Sequence, residues 1–160
     1  MMRFLKIASV ALILTACAES TTIDLAKNQF ILQTSAEAAC GRIATTKVAN
    51  KMAAVETLRR GYDRFVILGA ASANNTQTVV TGPTYATTYA NASAYGNRAY
   101  GTSNTYYGGQ SVLFTGTHDQ DLNVLMLRKG ERGYNSAIQA KQVLGENWKE
   151  ISEKGINTCT

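Results

Sequence analysis

Histidine, paired-cysteine motifs and long apolar runs are what this sequence has least of, and each scarcity excludes something. His118 is the only histidine, so no metal centre can be built from several imidazoles. A site of His118, Asp119 and Asp121 would offer one imidazole and two loop carboxylates, and no metal is expected. A Ser-His-Asp triad fails on geometry. His118 and Asp119 are adjacent, and on an extended chain neighbours point to opposite sides. His118 is instead expected in a loop with ordinary hydrogen bonds. No Cys-x-x-Cys is present, and Gly101, Gly108 and Gly109 precede no helix, so a phosphate cradle is absent. No cofactor and no catalytic residue are expected. Apolar runs stop well short of the roughly 20 residues that a membrane-spanning helix needs. The basic residues are scattered, apart from Arg59-Arg60 and Arg128-Lys129, which argues against a nucleic-acid partner.

The first seventeen residues carry the strongest pattern. Arg3 and Lys6 form a positive segment, Ile7 to Leu14 an apolar one, and small residues follow, the layout of a secretory signal. Leu14-Thr15-Ala16-Cys17 resembles the lipobox of bacterial membrane lipoproteins. The resemblance implies that residues 1–16 are removed and that Cys17 becomes the acylated first residue. Two or three acyl chains would hold the protein essentially permanently, at about 0.8 kcal/mol per buried methylene. Ala18, in place of the aspartate that retains such proteins in the inner membrane, points to the outer membrane facing the periplasm. The other reading is simple secretion with Cys17 left as a thiol.

Loss of the signal leaves 14 basic residues against 11 acidic ones, a mild positive charge. With Cys17 assigned to lipid, Cys40 and Cys159 remain as an even pair in an oxidising compartment, and a disulfide between them is expected. Two separate buried thiols are the other possibility.

Residues 17–28 read as a polar tether lifting a domain, residues 29–160, off the membrane. A first strand is expected over 29–34. Ser35 then suits the N-cap of a long helix ending at Arg60-Gly61, with Ala44, Val48, Met52, Val55 and Leu58 on one face. Phe65 to Leu68 has the length and composition of a doubly covered strand, and Leu122 to Leu127 reads as the next strand. Ser136 and Gln139 resemble a capping box opening a last helix to about Lys154, which Gly145 would weaken by about 1 kcal/mol. The expected fold is α+β, in the order β-α-β-(insertion)-β-α. It is a small, mostly antiparallel sheet of three strands or slightly more, with both helices on one face.

The insertion, at about 81–110, changes composition abruptly. Tyr85, Tyr89, Tyr95, Tyr100, Tyr106 and Tyr107 are interleaved with Thr, Asn, Ser, Ala and Gly, and Arg98 is the only charge. Such a segment reads as low-complexity, disordered or loosely β-forming. Three uses stay open: a mobile or hairpin-like surface loop, carried outward as a β-arm if Gln77 to Thr81 pairs with Val112 to Thr115; an adhesive contact surface of the kind that serves binding loops; or self-association through β-pairing. The mature part as a whole resembles small proteobacterial lipoproteins of unknown function.

The expected function is therefore a lipid-anchored envelope protein, a binding or scaffolding module rather than an enzyme. Its partners would be the membrane, through the anchor, and an envelope protein or peptidoglycan. A sensor or accessory subunit of an envelope complex is the second reading.

Overall fold

The computed structural model describes residues 17–82, 85–109 and 111–159; the expected signal segment, residues 1–16, lies outside them. In chain order the strands and helices are β1 (Ala18–Ala26), β2 (Gln29–Glu37), α1 (Gly41–Arg59), β3 (Arg64–Asn74), β4 (Gln77–Thr81) and β5 (Tyr85–Tyr95). They continue with β6 (Arg98–Gly108), β7 (Ser111–Thr115), β8 (Thr117–Leu127), β9 (Ile138–Gln139), α2 (Ala140–Leu144) and α3 (Trp148–Lys154). The described residues fall into two compact units, one running to Asn75 and resuming at Thr117, the other Thr76–Gly116.

The first unit holds a five-stranded antiparallel sheet in the order β1-β2-β8-β3-β9. Since β2 and β3 both run antiparallel to β8, they are parallel to each other with β8 between them. Helix α1 crosses from one to the other, as the strand–helix–strand reading expected. Alternation along the three central strands aims Phe30 and Leu32 of β2, Leu122, Val124 and Met126 of β8, and Phe65 of β3 at α1. These meet Val48, Ala49, Met52 and Val55 of the helix, and all are buried. Complete burial of a side chain of this size contributes roughly 1.5–3 kcal/mol, so this layer is the main source of stability. Thr45 and Thr57 are also buried on α1; their hydroxyls donate to the carbonyls of Gly41 (3.0 Å) and Ala53 (2.7 Å), which satisfies them inside the helix.

The three-stranded expectation is overturned. The described fold is mostly β, with nine strands in three sheets. The stretch expected as part of the tether is β1, a full strand of the main sheet. Its positions on the α1 side past Ala18 are Ser20, Thr22 and Asp24, while its apolar residues Ile23 and Leu25 stand half-exposed on the open face. Ser35 does not cap the helix but sits within β2, which runs on to Glu37; a 3-10 turn over Ala38–Cys40 then leads into α1. Residues 65–68 are covered on one face only: Phe65 is buried, while Leu68 is 53 % exposed. The last helix is broken in two. Gly145 has φ +76° and ends α2, while Ser136 lies in a 3-10 turn ahead of β9.

Arg59 and Arg60, at the end of α1, tie the helix to its neighbours. Arg59 donates to the carbonyls of Ser152 (2.7 Å) and Glu153 (3.0 Å) and pairs with Glu56. Arg60 pairs with Asp24 of β1 and lies over the Phe30 ring. The expected disulfide is present: Cys40 and Cys159 are bonded, with Cα atoms 5.6 Å apart and 119 residues between them in sequence. No helix among the described residues is long and apolar enough to cross a membrane.

Candidate functional site

Three places in the structure carry residues singled out above. The first is the carboxy-terminal clasp around Cys17. Cys17 is exposed and outside any disulfide. It forms an antiparallel bridge with Thr158, and the Ala18 amide donates to the Asn157 carbonyl at 2.9 Å. The Cys40–Cys159 bond therefore fastens the segment that lies directly against the start of β1. An anchor at Cys17 would join the sheet with no intervening tether.

The second is the open face of the main sheet, opposite α1. There the register aligns Glu19, Ser35 and Asp119 in one row and Thr21, Gln33 and Asp121 in the next. These residues line a depression of about 510 Å³. Asp119 and Asp121 share this face, whereas His118 points to the α1 side, so the pair His118-Asp119 is divided by strand alternation. His118 belongs to β8 rather than a loop, and its buried Nδ1 has no hydrogen-bond partner among the described residues. Asp119 accepts from Ser35 Oγ (2.7 Å) and Asn75 Nδ2 (2.6 Å). The Ser35 bond first, with bonds from Thr117 and Asn75, holds its carboxyl below the usual aspartate range, against a smaller opposing effect of burial. A depressed folded-state pKa gives a stabilising contribution that is intact above about pH 3.9, the unfolded value, and is lost as pH falls through the lower folded one. Ser35→Ala should move the Asp119 midpoint upward in a carboxyl-detected NMR titration; an unchanged midpoint would refute the assignment. Among the described residues, no group of three or more His, Cys, Asp or Glu is placed to hold a metal.

The third place is the tyrosine-rich insertion, which is a β-ribbon, the hairpin-like form among those expected. Strands β4 and β7 pair, and so do β5 and β6, all antiparallel. Where the two ladders meet, Gly82 has φ +103°, and a Cβ there would stand 2.4 Å from the Gly109 carbonyl oxygen. Only glycine fits that approach. At the tip Gly96, with φ +58°, and Asn97 make the two-residue turn that suits right-handed strand twist.

The β5–β6 ladder is unbroken from Tyr85↔Gly108 to Tyr95↔Arg98. Strict alternation then sorts its side chains onto two unlike faces. Tyr85, Tyr89 and Tyr95 share one face of β5 with Thr87, Asn91 and Ser93. Across from them, Tyr106 stands opposite Thr87, Asn104 opposite Tyr89, Thr102 opposite Asn91, and Tyr100 opposite Ser93. Tyr89 and Tyr106 meet edge to face with centroids 6.1 Å apart, the geometry aromatic quadrupoles favour. The reverse face carries Ala86, Ala90, Ala92 and Ala94 against Ala99, Gly101 and Ser103, together with the Thr88–Thr105 hydroxyl pair at 2.9 Å. Five of the six tyrosines expected at a contact surface thus share one face, each between 57 and 91 % exposed. The sixth, Tyr107, is opposite Ala86 by backbone register; its side chain lies outside the described residues.

The sequence held a signal for this arrangement. Alanine recurs at 86, 90, 92 and 94 with polar or aromatic residues between, a period of two, and Gly96-Asn97 is a hairpin dipeptide. The missing aliphatic residues hid it. No family model, no curated protein and no solved structure matches the chain.

Proposed function

We propose that this chain is a lipid-anchored envelope protein, attached through Cys17 and exposed to the periplasm at the outer membrane. It acts there as a non-enzymatic binding module whose contact surface is the tyrosine face of the β5–β6 ribbon. The observation that carries the reading is the sorting of five exposed tyrosines onto one face, with hydroxyl and amide side chains between them. Tyrosine supplies broad contact area with few rotamers to immobilise, while Asn, Ser and Thr supply adaptable hydrogen bonds; binding loops use the same combination. A two-stranded ribbon is marginally stable alone in water, so a surface of this kind gains order by engaging a partner.

Two measurements test the two halves of the reading. Cys17→Ala is expected to abolish labelling by radioactive fatty acid and to release the protein from membranes; persistent labelling would remove the anchor. Crosslinking in intact cells should give adducts that vanish when residues 82–109 are deleted. An unchanged crosslinking pattern would show that the ribbon is not the contact surface.

A further inference from the structure

We infer that the partner of the tyrosine face is an extended carbohydrate, the glycan strand of the cell wall. This rests on the reading of the ribbon as a contact surface in the envelope and goes on to name its ligand by chemistry. Three features of the face select it.

The first is charge. Along both strands the only ionisable group besides the phenols is Arg98, at the tip. A nucleic acid needs a basic track to neutralise its phosphates, and one arginine does not provide it. A partner protein with charged anchors would meet no counter-charge. The ligand is uncharged over most of its length.

The second is the arrangement of aromatic and polar groups. Tyr85, Tyr89 and Tyr106 form one cluster near the base of the ribbon, and Tyr95 and Tyr100 another near its tip. Between the clusters the same face offers Asn91 and Thr102, and Asn104 and Ser93 stand opposite Tyr89 and Tyr100. A pyranose ring has one face lined with C–H bonds and a rim of hydroxyls. The C–H face packs on a phenol ring while the rim exchanges hydrogen bonds with amides and hydroxyls. A lipid surface fits less well. Tyrosine suits the headgroup region, but the asparagines and hydroxyls gain nothing there over water, and the face carries no aliphatic side chain to enter hydrocarbon. A polyhydroxylated polymer satisfies both groups at once.

The third is shape. Tyr85 and Tyr95 are ten residues apart on one straight strand, a span of about 34 Å at 3.4 Å per residue. The five tyrosines of this face are each more than half exposed, which suits a linear polymer lying along them rather than a small molecule in a pocket. Contacts spread over such a length add through effective concentration, so single sugar units should bind far more weakly than the strand.

The test uses the full chain in detergent solution and purified peptidoglycan sacculi as the probe. Anionic phospholipid vesicles and sedimentation of the protein alone serve as separate arms. The protein is expected to pellet with sacculi, and long chitin oligosaccharides should compete where the monosaccharide does not. The Tyr89→Ala, Tyr106→Ala double variant should weaken retention on the order of tenfold or more, as loss of central aromatic contacts does at interfaces. Tyr89→Phe, which keeps the ring, and Thr88→Val, on the reverse face, should retain binding. Circular dichroism of each variant separates loss of contact from loss of fold; a variant that has lost its fold is replaced by Tyr100→Ala. Failure to pellet with sacculi overturns the glycan assignment, as does tyrosine-dependent binding that appears only with vesicles or as self-association. In those cases the contact-surface reading survives. If the tyrosine variants alter neither retention nor crosslinks in cells, both readings fall.

Discussion

Replacing Cys40 and Cys159 together with serine is expected to lower the melting temperature by on the order of 15 °C. The disulfide closes a loop of more than 100 residues, and the chain-entropy model assigns up to about 4.7 kcal/mol to a loop of 100. At about 3 °C per kcal/mol for a domain of this size, the shift follows. The effect has a local component as well. Residues 155–159 are also held by the Gly155 amide on the Ile151 carbonyl (2.8 Å), the Ile156 amide on the Met52 sulfur (3.3 Å), packing of Ile156 against the core, and the bridge to Cys17. Without the covalent tie this segment should open before the sheet does. Amide exchange at Ala18, whose N–H bonds to Asn157, should then accelerate more than exchange in β8. Equal melting temperatures of oxidised and reduced protein would show that the bond adds nothing, and uniform exchange would show that it does not guard the clasp.

The legible parts of this fold are those where burial writes itself into the residue pattern. Val48, Met52 and Val55 repeat at helical spacing and mark the buried stripe of α1. Phe65 and Leu122 to Leu127 are apolar runs that became central strands. The cysteine pair was legible by parity once Cys17 was assigned elsewhere. What escaped was structure whose side chains stay in water. β1 buries only Ala18; its two large apolar residues, Ile23 and Leu25, stay half-exposed, so the segment reads as a tether. The ribbon was legible at its base, where Gln77 to Thr81 pairs with Val112 to Thr115 as a β-arm; beyond it the β5–β6 ladder lacks aliphatic residues and reads as low complexity. Composition offered a contact surface only as one of three uses for the tyrosines, and only the register of β5 against β6 places Tyr100 and Tyr106 on the face of Tyr85, Tyr89 and Tyr95. The break in the last helix was half legible: Gly145 was recognised as a weak point, yet its positive φ ends the helix outright.

The same contrast between buried and water-facing positions predicts the largest single-residue effect. Phe30→Ala should destabilise the first unit by about 3–5 kcal/mol, the range for removing a fully buried phenylalanine. Phe30 has no exposed surface, lies opposite Val124 in the β2–β8 ladder, and has the Arg60 guanidinium 4.7 Å from its ring centroid. Truncation therefore removes three things together. The space between β2, β8 and α1 is left empty; close packing on both sides leaves little room for collapse. Arg60 loses the aromatic face that helps hold it. Its pair with Asp24 is then less well positioned, which loosens β1 at the edge of the sheet. Leu68→Ala is the matched control. Leu68 is a larger aliphatic than most in the chain, but it is 53 % exposed, and its loss should fall within about 0.5 kcal/mol, as for most surface changes. Urea unfolding of both variants, compared at equal m-value, measures the difference. If Leu68→Ala costs as much as Phe30→Ala, the open face of the sheet is covered in the folded protein and the core extends to both sides. A large gap between the two places the stabilising layer on the α1 side alone, leaving the row of Glu19, Ser35 and Asp119 in water.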